Sequence, residues 1–231
     1  MFENPVWHAL ETRQRRFAQY AGEACRFAAE VAPFAAVGNR TEDASRQLLS
    51  LLRPSEVVYT MGEAPVEIPG LTVEGTLAGS QMMFPENSEI IEPGHKESAH
   101  EQIGLAKLSC AHATEMVELT EIAFPGYFRI RTCEMGTYYG VRIGGRLVSM
   151  AGERFAFDRY VEISGVCTHP EHRGKGYAAA LITRLLLDHR RNGWLSCLHT
   201  AAANKRAIAI YERLGFMVSR EVNFHRVIGS G

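Results

Sequence analysis

The stretch from Tyr160 to Arg191 constrains the chain more than any other. Tyr160 to Thr168 is rich in Val and Ile with small residues between them, and reads as a strand. It runs through His169-Pro-Glu-His-Arg-Gly-Lys-Gly-Tyr-Ala178 into a helix whose buried face is Ala178, Leu181, Ile182, Leu185 and Leu186. Arg190 and Arg191 in the last turn and Gly193 just beyond stop that helix. A glycine-rich turn between a strand and a helix start suits a pyrophosphate, because the first-turn N–H groups lack partners and carry partial positive charge. Gly174 and Gly176 have no Cβ, so phosphate oxygens can approach the backbone, and Arg173 and Lys175 add charge beside it. The turn alone is equally a tight strand–helix connection with no ligand. The chain has no GxxxxGK[ST], and no GxGxxG followed by an acidic residue on a second strand, which sets aside a P-loop and a dinucleotide-binding unit.

The rest of the chain reads less sharply. Phe17, Ala21, Ala24, Ala28 and Val31 recur at three- and four-residue intervals and predict an amphipathic helix ending near Pro33. Thr41 is the expected N-cap of a second helix, with Glu42 and Asp43 in its first turn, running through Leu48, Leu49 and Leu52. Glu56 to Met61 and Ser80 to Phe84 are β-prone. Pro85 to Glu101 is polar and turn-rich and reads as a linker, giving regions 1–92 and 93–231. Beyond it come a strand (Gln102 to Lys107), a helix (His112 to Ala123), and a hairpin of Tyr138–Ile143 and Arg146–Ala151 about Gly144-Gly145. Strand, helix, strand, helix and strand then follow to the end, an α/β order.

At 231 residues and a net charge of -1, nothing points to nucleic acid or an anionic membrane as partner. No apolar run approaches the roughly 18–20 residues of a membrane span, and the first residues do not resemble a signal peptide. The five cysteines (Cys25, Cys110, Cys133, Cys167, Cys197) show no zinc-ligand spacing, so a reduced, soluble, cytoplasmic protein is the expectation.

Two motifs together carry a family resemblance. Arg173-Gly-Lys-Gly-Tyr-Ala178 after its strand resembles the Arg/Gln-x-x-Gly-x-Gly/Ala motif of the GCN5-related N-acetyltransferases (GNAT superfamily). Asn204-x-x-Ala207 followed by Tyr211-Glu-Arg-Leu-Gly-Phe216 looks like that superfamily's final helix and exit. The wording Val166-Cys-Thr-His-Pro-Glu-His-Arg-Gly-Lys-Gly-Tyr-Ala178, with Met150-Ala-Gly-Glu-Arg154 upstream, is similar to its FR47-like branch. The resemblance spans Gln102 to His225. It implies a mixed sheet flanked by helices and transfer of an acyl group from acetyl-CoA to a primary amine by direct attack. The non-catalytic alternative is a CoA-binding module that kept the fold; the catalytic one is a different acyl-CoA, as in glycine acyltransferases. Residues 1–92 carry no readable motif, and their order would suit a degenerate second copy that walls the acceptor pocket.

The resemblance also implies roles. The main chain of Arg173, Gly174, Lys175, Gly176, Tyr177 and Ala178 would bind the CoA pyrophosphate. Val166, Cys167 and Thr168, at the splayed end of their strand, would meet the pantetheine arm and the acyl carbonyl, where an oxyanion-directed donor is worth roughly 3 kcal/mol. Asn204 and Ala207 would meet pantetheine, with Asn204 also an N-cap. Tyr211 would protonate the departing thiolate, its plain alternative being a core tyrosine. Glu162, expected on one face with Ser164 and Val166, is the candidate base, with a water chain or a structural carboxylate as the other readings; Glu153 is the weaker second. No metal is implied: His169, His172 and His189 read as solvent-exposed. Strand alternation points the Cys167 side chain away from Val166 and against a covalent acyl-enzyme. The acceptor is a small-molecule amine, an amino acid or a protein N-terminus, and a homodimer is compatible with all of this.

Overall fold

The computed structural model describes residues 3–90 and 104–230. Eleven strands form two sheets among these residues: a small antiparallel one, β1 (Ala18–Ala21), β2 (Ala24–Phe27) and β3 (Ala35–Val37), and a large mixed one. The large sheet takes β4 (Val57–Met61), β5 (Leu71–Met83), β6 (Leu105–Leu108), β7 (Tyr138–Ile143), β8 (Arg146–Phe157), β9 (Tyr160–Thr168), β10 (Leu195–Ala201) and β11 (Met217–Gly229), in the order β4-β11-β5-β10-β9-β8-β7-β6. Every pair is antiparallel except β9 with β10. Among the described residues the α-helices are α1 (Pro5–Glu11), α2 (Glu42–Ser50), α3 (Ala113–Ala123), α4 (Tyr177–Arg191) and α5 (Lys205–Arg213).

Strand alternation sends neighbouring side chains to opposite faces, and β7 shows it: Tyr139 packs with the helices α4 and α5, Tyr138 with α3. Leu181, Ile182, Leu185 and Leu186 of α4 are fully buried on the first face, each worth roughly 1.5–3 kcal/mol in apolar burial. The other face is covered by α3 at one end. In the middle it is covered by α1 and the small sheet, where Phe27 of β2 and Phe34 just before β3 both pack on Phe155 of β8.

Several expectations hold closely. β9 and α4 fall where the pattern put them, and Thr41 caps α2 by accepting from the Ala44 N–H at 3.1 Å. Gly144 and Gly145 both take positive φ, 57° and 83°, as a primed two-residue hairpin requires. The helix read across Phe17–Val31 is instead the hairpin β1–β2: Gly22 turns the chain at φ 54°, and β2 is buried along its whole length. The alanines at helical spacing fit a strand equally well, and tertiary pairing decided. Helix α1 was not foreseen; Asn4 caps it through the Trp7 N–H.

The expected linker runs into residues 91–103, outside the described residues, as do Gln102 and Ile103 of the strand expected there. Strands from both sides of the 92/93 division share the large sheet, with β5 lying between β10 and β11. Cys110 and Cys133 form a disulfide, a correction to the reduced state expected of all five cysteines. Among the described residues no helix is long and apolar enough to cross a membrane.

Candidate active site

The parallel partners β9 and β10 pair only at their beginnings: Tyr160–Leu195, Val161–Ser196 and Glu162–Cys197 are in register, and no later pair is. Beyond that point β9 breaks step with β8 too. One extra residue lies between Ser164 (opposite Gly152) and Cys167 (opposite Met150), where Gly165 adopts φ 63°. This is a β-bulge, and it re-aims the side chains that follow. Val166 packs with Ile163 on the α4 face, while Cys167 packs on the α3 face. Glu162 and Val166 therefore do not share a face, which corrects the expectation from simple alternation.

Where β9 ends, a cleft of ≈ 680 Å³ opens. It is lined from β9 by Val166, Cys167 and Thr168, from the following turn and α4 by His172 and Arg173 through Ala179, and from α5 by Asn204, Ala207 and Tyr211. Every expected cofactor-side residue lines it. At its floor, α4 starts on Gly176 at φ 79° with no side chain capping it. A Cβ on Gly174 or Gly176 would meet nothing within 4 Å, so the space over the turn is open. The first-turn N–H groups thus face a void large enough for a ligand, which is the form an anion cradle takes. Arg173 Nε donates to the Thr168 carbonyl at 3.3 Å and ties the turn to the strand end.

Tyr211 is 9% exposed at the wall of this cleft, and burial pushes its phenol up to about 12. It stays protonated through the neutral range and is available as a donor. Asn204 caps α5 by accepting from the Ala207 N–H at 3.1 Å. The Cys167 thiol is pushed up to about 12 by burial, which removes it as a nucleophile near neutrality.

Glu162 sits elsewhere in chemical terms. It is fully buried and held by Arg154 through two hydrogen bonds (2.8 and 2.6 Å) and by His199 Nδ1 at 2.7 Å. Burial alone would raise its pKa, but the charges of Arg154 and His199 outweigh it and hold the carboxyl at about 2. The second His199 nitrogen meets Gln81 of β5 at 2.9 Å, and Arg154 lies over the Phe34 ring, 4.6 Å from its centroid. Glu153 is used on the α4 side. It accepts from the Thr137 N–H at 2.9 Å and meets His189 Nε2 at 3.2 Å. His189, expected in solvent, is fully buried and also meets Ser196 Oγ at 2.8 Å.

With this geometry in view, comparison with known proteins is informative. A profile described as Acetyltransferase (GNAT) family matches residues 106–216. The structure of a GNAT-family protein from Novosphingobium aromaticivorans is 32% identical, covering 99% of this chain and 98% of its own, with TM-score 0.86. This chain belongs to the GNAT acetyltransferase family. A GCN5-related N-acetyltransferase from Kribbella flavida (17% identical, TM-score 0.59, 98% of this chain and 93% of its own) shares the fold. A GCN5-related N-acetyltransferase-like protein from Streptococcus suis (13%, TM-score 0.58, 96% and 92%) does so as well. No protein of curated function matches the chain.

In this GNAT chain, Arg206, Ile210 and Arg213 of α5 also line the cleft and were not singled out beforehand. Their spacing with Ala207 and Tyr211 marks one helical face, which was the available signal. Arg154, His199 and Gln81 around Glu162 had no such signal, because they come from three different strands.

Proposed function

We propose that the chain is an N-acyltransferase that moves an acetyl group from acetyl-CoA to a primary amine by direct attack in a ternary complex. The observation that carries this reading is the uncapped start of α4, opening onto unobstructed space over Gly174 and Gly176 in a cleft that Tyr211 also lines. The amides of Gly174 to Ala178 suit a pyrophosphate. The strand end at Val166 to Thr168, freed from β10, is where main-chain groups are available to a pantetheine amide and a thioester carbonyl.

In the reaction the amine nitrogen bonds to the thioester carbon, negative charge builds on its oxygen, and the C–S bond breaks. Holding both reactants supplies much of the acceleration. An alkyl ammonium of pKa about 10.4 must first lose a proton. Glu162, ion-paired and at about 2, is a poor acceptor for it. In this proposal that proton leaves through water, and Glu162 positions the strand. Tyr211 gives its phenol proton to the departing sulfur, and the second proton, shed by the attacking nitrogen as the amide forms, returns to the Tyr211 oxygen through water. The acceptor is a small amine, an amino acid or a protein N-terminus.

Calorimetric titration with acetyl-CoA tests this reading, comparing the parent with an Arg173→Ala, Gly176→Glu double variant shown to be folded. The expected result is saturable binding by the parent, weakened at least about a hundredfold in the variant, and thiol release once an accepted amine is added. A folded parent that binds nothing at millimolar acetyl-CoA overturns it.

A further inference from the structure

The short 3₁₀ turn Pro170–His172 leads from β9 to the glycine turn. It gathers His169, Glu171 and His172 so that one ligand atom from each lies within 4.8 Å of the other two. The Nδ1 atoms of both histidines are buried and have no hydrogen-bond partner. Buried polar atoms are ordinarily satisfied, and two unsatisfied imidazole nitrogens beside one carboxylate call for an explanation. The Glu171 carboxylate lies 3.8 Å from His169 Nδ1, and its side chain is 77% exposed and able to swing.

We propose that His169, Glu171 and His172 form a binding site for a divalent transition-metal ion of the zinc class. Two imidazoles and a carboxylate suit zinc, nickel or copper and not magnesium or calcium, which prefer all-oxygen sets. Tetrahedral bonds of about 2.0–2.2 Å put neighbouring ligand atoms roughly 3.4 Å apart. The present cluster therefore closes on an ion with about 1 Å of movement, and Glu171 is the mobile member. Three protein ligands leave one position open. His172 also lines the ≈ 680 Å³ cleft, so the ion lies at its rim. On the donor reading proposed above, a phosphate oxygen of the acyl-CoA can fill that position.

One neighbour opposes the ion. Arg146 Nη2 lies 3.4 Å from His169 Nε2 and offers that nitrogen a proton. Metal on Nδ1 requires Nε2 to carry its own proton, so Arg146, which is exposed, must turn away. Arg173 and Lys175 add further positive charge nearby. These costs place the affinity in the micromolar range and predict that removing Arg146 tightens binding.

The test uses the untagged full chain, stripped with chelator and free of any acyl-CoA, titrated with zinc chloride by calorimetry and with magnesium chloride as the contrast. We expect one zinc per chain in the micromolar range and no saturable magnesium binding. The His169→Ala, His172→Ala variant should bind zinc at least about tenfold more weakly, and Arg146→Ala more tightly. If the double variant fails to fold, His169→Gln and His172→Gln separately must each weaken binding. Zinc binding unchanged in these variants, or absent from the parent below a millimolar, overturns the site. No donor is present, so this result and the acetyl-CoA titration fail independently.

Discussion

Two clusters of polar groups lie on either side of the splayed end of β9, and they treat their hydrogen bonds in opposite ways. Around Glu162 the carboxylate is paired: Arg154 grips it with two donors, His199 adds a third, and Gln81 closes the chain from β5. At Gly174–Gly176 the helix start is uncapped and a Cβ would find no neighbour. The first cluster uses its polar groups to hold strands together; the second leaves its amides uncapped beneath open space, where the proposed donor would sit. A carboxylate in a suggestive place is thus a weaker guide to chemistry than an unsatisfied amide in an open one.

The comparison can be broken most directly at Glu162. Glu162→Ala leaves the Arg154 guanidinium buried without its partner and should lower stability by about 3–5 kcal/mol. Urea denaturation measures this, and a loss under 1 kcal/mol would mean the cluster does not hold the sheet. Acid should act on the same group. Its folded pKa of about 2 lies below the ordinary 4.5, so its contribution is complete above pH 4.5 and disappears as pH falls toward 2. The stake is about 3 kcal/mol, read as a falling midpoint across that window and largely absent from the Glu162→Ala variant.

On the open side, effects should fall on turnover and binding. Tyr211→Phe keeps the ring and removes the proton, so kcat should drop about a hundredfold with acetyl-CoA affinity nearly unchanged. Equal losses in both would make Tyr211 a packing residue. Asn204→Ala removes the cap of α5 and should cost about 1 kcal/mol by thermal melting, together with some donor affinity. Unaltered donor binding there would confine Asn204 to its capping role.

What was legible in the chain was local. β9, its glycine turn and α4 follow one another within Tyr160–Arg191, and each announces itself by spacing that neighbours alone determine. The Glu162 cluster was not legible, because His199 and Gln81 are 37 and 81 positions away and reach it only through sheet order. The bulge at Gly165 defeated the face assignment of Glu162 because one inserted residue reverses the alternation. The β1–β2 hairpin was misread because small alanines satisfy a helical period and a buried strand alike. Cys110 and Cys133, 23 residues apart, carry no spacing signature, and α3 and the loop after it bring them together.

The place of β5 has a consequence for how the molecule is made. Its two long-range partners, β10 and β11, begin at Leu195 and Met217, more than a hundred residues later in the chain. As synthesis proceeds, β5 is complete early and waits with both edges unpaired until β10 emerges, and with one edge free until β11 follows. Such waiting edges are where strands from other chains add. Assembly governed by contacts so distant in sequence is intrinsically slow. Glu74, Thr76 and Ser80 along β5, and the ion pair Glu74 makes with Arg226, put charge and polarity on a strand that must wait for its partners.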